Sequence, residues 1–137
     1  MNNKDKFQWR ERWVHCIKEL TSLELQKSSW LDLDSSNPHW SYTEFMCSYF
    51  DDLVIDYNYK YQLEKGWILL EELDIIKDWH EALDKYNPPK NNPYDHESIL
   101  KDKNWLAILE LGVTAKSNLA EILSEKERMI LTGQEYF

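Results

Sequence analysis

Apolar side chains recur every three or four residues along most of this chain, which is the spacing of one face of an α-helix. The first stripe predicts a helix from about Lys4 to Leu25. Its inward positions are Trp9, Trp13, Cys16, Ile17 and Leu20. The next segment, from Ser28 to His39, contains the helix-breaking run Ser-Ser-Asn-Pro and is predicted to be a loop.

The second stripe has the clearest start signal. Ser41 and Glu44 have the spacing of a capping box, in which each side chain accepts a hydrogen bond from the other residue's backbone N–H. The stripe predicts a helix that ends near Gly66, with Phe45, Met46, Tyr49, Phe50, Leu53, Val54, Tyr57 and Tyr61 on one face. A β-hairpin near 54–70 stays open as an alternative, because residues 55–62 also alternate between strand-forming and polar side chains.

A third long helix is predicted from about Leu69 to Tyr86. Its inner stripe is Leu69, Leu73, Ile76, His80 and Leu83. The proline-rich segment 87–93 ends it, because proline disfavours helical backbone in the residue before it. Short connections favour antiparallel neighbours, so the second and third helices are predicted to pair through their apolar stripes.

Three cap signals divide the remaining chain. Asp95 is predicted to cap a short turn, and Asp102 is predicted to cap a fourth long helix that reaches Leu123. Ser124 followed by Glu127 is a second capping box, which predicts a final short helix before Gly133.

Together these elements predict an all-α fold in a single domain, residues 1–137. The expected architecture is an irregular bundle of four longer helices and one or two short ones. The alternative with a hairpin near 54–70 would be α+β. An all-β sandwich is disfavoured, because three glycines and four prolines supply few turns.

Negative charge is concentrated in residues 30–86. This segment carries thirteen acidic and four basic side chains, and its net charge equals the −9 of the whole chain. Aromatic residues are interleaved with the acids: Trp30, Trp40, Tyr42, Tyr49, Tyr57, Tyr59, Tyr61, Trp67, Trp79 and Tyr86. Such a surface favours a basic protein partner and disfavours direct binding of nucleic acid, because phosphates repel carboxylates.

Two predicted helix faces carry the candidate partner-binding residues. The candidates on the second helix are Asp52, Ile55, Asp56 and Tyr59. Those on the third helix are Glu71, Glu72, Asp74 and Asp78. If the two helices are antiparallel neighbours, these groups join into one acidic surface with apolar and aromatic contacts. A homodimer through Trp67, Ile55 and Tyr59 is a further possibility that the pattern leaves open.

Motifs for catalysis and for cofactors are missing from the sequence. It contains no Glu-x-x-His, no His-Glu-x-x-His, no glycine-rich phosphate loop and no Gly-x-Ser-x-Gly. We therefore predict no enzyme activity, no metal and no cofactor, and we interpret His80 as a hydrogen-bonded core residue. An enzyme that uses His80 with nearby carboxylates remains the less favoured alternative.

The location expected from the sequence is the cytoplasm. The first twelve residues lack the apolar core of a signal peptide, and no apolar run approaches the roughly 20 residues of a membrane-spanning helix. Cys16 and Cys47 form no Cys-x-x-Cys pair, and we expect two reduced thiols.

Several short runs within residues 40–123 form a pattern. They are Asp51-Asp52-Leu53, Tyr57, Gly66-Trp67-Ile68, the helix end Trp79-His80-Glu81-Ala82-Leu83-Asp84-Lys85-Tyr86-Asn87-Pro88, and Trp105 after Asp102. This pattern resembles small helical immunity proteins of bacterial toxin systems. Proteins of that class bind one cognate toxin domain, often a basic nuclease, inside the cell that produces the toxin.

The resemblance implies an inhibitor that neutralises a cognate toxin, and it carries over no particular binding residues because the class is diverse. The alternative is a helical adaptor or regulatory module that binds another basic protein. A basic toxin domain would be attracted by the acidic segment, and this attraction would weaken with salt.

Overall fold

The structure is a computed structural model that describes residues 3–31, 41–54 and 59–133. In these ranges the helices are α1 (Asn3–Thr21), α2 (Leu23–Trp30), α3 (Tyr42–Cys47), α4 (Lys60–Glu64), α5 (Leu70–Lys85), α6 (His96–Lys101), α7 (Lys103–Ala120) and α8 (Glu125–Thr132). A π-helical segment, Ser48–Leu53, continues α3, and Pro89–Asn91 form a 3-10 turn. The described residues contain no strand, so the all-α prediction is confirmed. The hairpin alternative is not supported, because the described part of residues 54–70 contains no strand.

The predicted cap residues begin the helices where the sequence indicates. The Ser41 hydroxyl accepts a hydrogen bond from the Glu44 backbone N–H at 3.2 Å, and the Glu44 carboxylate accepts one from the Ser41 N–H at 3.0 Å. Asp102 caps α7 by accepting a hydrogen bond from the Asn104 N–H at 3.3 Å, and the Ser124 hydroxyl caps α8 by accepting one from the Glu127 N–H at 3.2 Å. The Glu127 carboxylate bonds to Arg10 rather than completing the predicted capping box at Ser124. Gly133 ends α8 with a φ of +76°, a left-handed conformation that glycine adopts without strain.

The first predicted helix is in fact two. Ser22 has extended backbone, and its hydroxyl accepts a hydrogen bond from the Leu25 N–H at 3.2 Å, so a new helix begins there. In α2, the buried Gln26 lies beside α7. The Trp105 indole N–H donates to the Gln26 side-chain oxygen at 3.0 Å. This contact joins residues 79 positions apart, which a local pattern cannot reveal.

The second predicted helix is also interrupted. The α-helix ends at Cys47, and the wider π-helical segment that follows buries both Tyr49 and Phe50. The rings of Tyr49 and Phe50 both contact the His80 ring of α5. The segment ends at Leu53, whose carbonyl oxygen accepts hydrogen bonds from the side chains of Trp9 and Gln62, each at 3.1 Å. Among the described residues, the next helix is α4, which begins at Lys60.

The core is built around α1, α5, α7 and α8, and α2, α3, the π-helical segment and α6 add buried side chains to it. The main neighbour of α5 is α7, and α1 packs against both α7 and α8. The predicted pairing of the second and third helices is therefore wrong as the principal contact, although Tyr49 touches Trp79 and His80 of α5. No helix of the described residues is long and apolar enough to cross a membrane.

Gly112 allows α5 and α7 to approach closely. A Cβ atom at this position would lie 2.6 Å from the Thr21 methyl carbon and 2.9 Å from the Trp79 indole nitrogen. Neither neighbour moves easily, because the Thr21 hydroxyl donates to the Ile17 carbonyl oxygen at 2.7 Å and Trp79 is buried in the core.

We expect Gly112→Ala to lower the free energy of unfolding by about 1–3 kcal/mol, because the added methyl overpacks the helix crossing. Urea unfolding measures this change. Alanine is a better helix former than glycine by about 1 kcal/mol, so a net loss of stability must come from the clash of the added methyl group. Ser117→Ala, at an exposed position of α7, is the matched control and should change stability by less than about 0.5 kcal/mol. Equal stability of both variants would contradict close packing at Gly112.

Candidate partner-binding surface

Helix α5 has one buried side and one acidic side. Ile76, Trp79 and Leu83 point into the core. The exposed carboxylates are those of Glu71, Asp74, Asp78, Glu81 and Asp84, and we call this set the acidic face. Lys77 and Lys85 are the exposed cations of the same helix, so the acidic face carries a net negative charge. Because residues three and four apart are neighbours on a helix, these carboxylates form one continuous surface.

Part of the predicted surface is placed as the sequence indicates. Glu71, Asp74 and Asp78 are exposed on the acidic face. Asp52 is also exposed, on the π-helical segment, where its carboxylate lies 3.6 Å from the Arg12 guanidinium. The remaining candidates of the predicted second helix, Ile55 and Asp56, lie outside the described residues.

Tyr59 was expected on the surface, and this expectation is wrong. Its side chain is 0% exposed. The Trp13 indole N–H donates to the Tyr59 hydroxyl at 3.0 Å, and that hydroxyl also bonds to the hydroxyl of Tyr49. The backbone of Tyr59 is left-handed, with a φ of +62°, immediately before α4.

Glu72 was also expected to bind a partner, and it is instead 2% exposed. Its two carboxylate oxygens accept hydrogen bonds from the Arg10 guanidinium at 3.0 and 2.6 Å. The Leu69 backbone N–H donates to the same carboxylate at 2.9 Å, which caps the start of α5. Glu72 therefore holds the fold together, although it neighbours the exposed Glu71 in sequence.

The Arg10 guanidinium uses its N–H groups in five hydrogen bonds. Besides the two to Glu72, it donates to both carboxylate oxygens of Glu127 and to the Trp67 carbonyl oxygen. Burial disfavours the charged guanidinium, but the hydrogen bonds and negative charges of Glu72 and Glu127 outweigh it and raise the pKa of Arg10 above its usual value. The cluster joins α1, α5, α8 and the turn before α5.

His80 is buried and hydrogen-bonded, as the sequence predicts. Its Nδ1 lies 2.7 Å from the Tyr49 hydroxyl, which bonds in turn to Tyr59. Trp13, Tyr59, Tyr49 and His80 thus form a buried chain of polar groups across the core. Burial raises the pKa of Tyr49 well above its ordinary value and raises that of Tyr59 as well.

A groove of about 320 Å³ runs along the edge of α5. Tyr59 and His80 lie at its base, and Leu70 and Leu73 line it. Asp74, Glu81 and Asp84 of the acidic face border it together with Lys77. The groove places apolar contact area beside negative charge, which suits the long apolar stem and charged end of a lysine or arginine side chain.

Four exposed residues were missed in the sequence. Glu81 and Asp84 continue the helical spacing from Asp74, so their position on the same exposed face could have been predicted from the sequence. Leu69 and Leu70 are 59% and 64% exposed. The pattern places Leu69 on the inner stripe, but Leu69 precedes the first residue of α5, so the helical spacing does not apply to it.

Nothing in the described residues assembles a metal site. No group of three His, Cys, Asp or Glu side chains there is placed to hold a metal ion. Cys16 and Cys47 are free thiols, and burial raises the pKa of Cys16 to about 12. A thiol with so high a pKa is a poor nucleophile at neutral pH.

Comparisons with protein-family models, with curated proteins and with solved structures find no match to this chain.

We expect Glu72→Gln to lower the free energy of unfolding by about 3 kcal/mol, because it leaves the buried Arg10 charge without one of its two carboxylates. Glu71→Gln is the matched control: it removes a neighbouring but exposed charge and should change stability by less than about 0.5 kcal/mol. Urea unfolding of both variants tests the difference. Equal changes in stability for the two variants would contradict the assignment of Glu72 to the fold and of Glu71 to the exposed surface.

We expect stability to fall as the pH rises above 10. The unfolded chain ionises its tyrosines near pH 10, whereas burial keeps Tyr49 and Tyr59 protonated to higher pH in the folded protein. The folded state then binds more protons than the unfolded state, so the free energy of unfolding decreases with pH, and the contribution is fully present below pH 10.

Urea unfolding from about pH 8 to about pH 11 measures this slope across the tyrosine titration. Tyr59→Phe removes one of the groups and should make the slope shallower. Tyr94→Phe alters a tyrosine that is 76% exposed and should leave the slope unchanged. A slope unaffected by Tyr59→Phe would mean that other groups cause the loss.

Proposed function

We propose that this protein is an inhibitor of the immunity type, which binds and neutralises a cognate bacterial toxin domain through the acidic face of α5. The observation that carries the proposal is the exposure of five carboxylates on one helix, with Leu69 and Leu70 exposed at its start. The complementary partner surface is basic, as expected of a nuclease that must attract phosphate.

Rigid support of the acidic face favours tight binding. The buried side of α5 packs along α7, and Glu72 is fixed by Arg10. Because the charged groups start from a backbone that is already ordered, binding loses little backbone entropy. The field of the acidic face would speed encounter with a basic partner, and this effect falls with salt.

The apolar part of the interface differs from the sequence expectation. Most described aromatics of the acidic segment are buried in the core, among them Trp30, Tyr42, Tyr49, Tyr59 and Trp79. The apolar contacts near the acidic face are supplied instead by Leu69, Leu70 and the groove along α5. We therefore assign the contact to leucines and carboxylates rather than to tyrosine and tryptophan anchors.

Binding without catalysis is part of the proposal. The Nδ1 of His80 already bonds to Tyr49, and the side chain is only 6% exposed, so it is poorly placed to act on a substrate. An inhibitor that protects the producing cell works where the toxin is made, and on this ground we place the protein in the bacterial cytoplasm.

Capture of the partner from lysate of the native cell tests the proposal first. The tagged protein should retain one basic partner at low salt and lose it at high salt. Expression of that partner alone should arrest growth, and coexpression with this protein should restore it. A basic partner without toxicity would favour an adaptor, and no partner at either salt concentration would contradict the proposal.

Charge reversal then tests the surface. We expect Glu71→Lys, Asp74→Lys and Asp78→Lys together to lower the association rate about 10- to 100-fold at low salt and to abolish protection. The control reverses three exposed acids elsewhere, Glu110, Glu121 and Glu125, with the same change in net charge. Equal loss in both triple variants would show that net charge, and not the acidic face, determines binding.

A further inference from the structure

A second groove lies between α1 and α8. It has a volume of about 460 Å³ and is lined by Lys6, Phe7, Arg10, Glu11, Ser124, Lys126, Glu127 and Ile130. Phe7 is 67% exposed and lines the opening of the groove, so most of an aromatic ring faces solvent there. Aromatic side chains that fill a pocket of the partner are typical anchors of protein contacts.

The base of the groove favours an apolar occupant over an anion. Arg10 lines it, but its guanidinium already makes five hydrogen bonds to Glu72, Glu127 and the Trp67 carbonyl oxygen. An incoming anion would have to displace a carboxylate from this buried cluster, which is costly. A hydrocarbon ring meets Ile130 and the stems of the long side chains without breaking any of these bonds.

The charges of the groove are of both signs. Lys6 and Lys126 carry ammonium groups, and Glu11 and Glu127 carry carboxylates. None of the residues that line the groove belongs to the acidic segment 30–86. Copies of a protein with a net charge of −9 repel each other across the acidic face, and this repulsion is weakest where the charges balance.

We propose that this groove is the contact between two copies of the chain. The same patch presents the ring of Phe7 and the cavity that could receive it, so a two-fold axis would insert each ring into the other copy's groove. The charges of the patch outside the Arg10 cluster are self-complementary, because each copy brings the ammonium groups of Lys6 and Lys126 and the carboxylate of Glu11 to the contact. This inference is independent of the proposed function, and it leaves the acidic face outside the contact.

Sedimentation velocity of the full chain over a wide concentration range measures the dimer. One ring in each groove gives a weak contact, so dimers should appear between about 10 µM and about 1 mM. Phe7→Ala should weaken dimerisation at least tenfold. Tyr94→Ala, which removes another strongly exposed ring outside the patch, should leave it unchanged.

Charge exchange tests the symmetry of the contact. In the proposed dimer, Lys6 of one copy is expected to face Glu11 of the other. Lys6→Glu should then weaken the dimer, and Lys6→Glu combined with Glu11→Lys should restore it, because this pair is re-formed with the signs reversed. Circular dichroism and thermal unfolding confirm that the variants fold. A monomer at every concentration would overturn the inference, as would a dimer that survives Phe7→Ala or a double variant weaker than Lys6→Glu alone.

Discussion

The guanidinium of Arg10 is the point on which the packing of α1, α5 and α8 depends. A buried charge is costly unless it is paired and fully hydrogen-bonded, and here two carboxylates and one carbonyl oxygen meet that requirement. The partners lie 57, 62 and 117 positions further along the chain. The first helix can therefore bury Arg10 only when the start of α5 and the start of α8 are both packed against it.

This single pairing also sets the rotation of α5. Once Glu72 points inward to Arg10, the 100° turn per residue directs Asp74 to the opposite side of the helix and Glu71 about a quarter-turn away from Glu72. Trp79 then meets α7 where Gly112 offers no side chain, so the two helices pack closely. The acidic face is thus the outward half of a helix whose inward half is fixed by an ion pair and by an aromatic core.

Local signals predicted the ends of helices but not their interruptions. Ser41, Asp102 and Ser124 act on residues two or three positions away, so their caps could be inferred from sequence. The π-helical segment depends on contacts of Tyr49 with His80 and of the Leu53 carbonyl with Trp9, which are 31 and 44 positions apart. A count of charges likewise could not show that Glu72 is buried and Glu71 exposed, because Glu72 is buried by its pairing with an arginine 62 positions earlier.

The acidic face is unfavourable for the protein when it stands alone. Glu71, Asp74, Asp78 and Glu81 follow one another at spacings of three or four, and like charges at these spacings destabilise a helix by about 0.2–0.5 kcal/mol per pair. Lys77 and Lys85 offset part of this repulsion. The fold holds α5 in place through its buried side, so the repulsion persists on the outward side. A basic partner bound there would relieve it, and the charge pattern that weakens the isolated helix would then strengthen the complex.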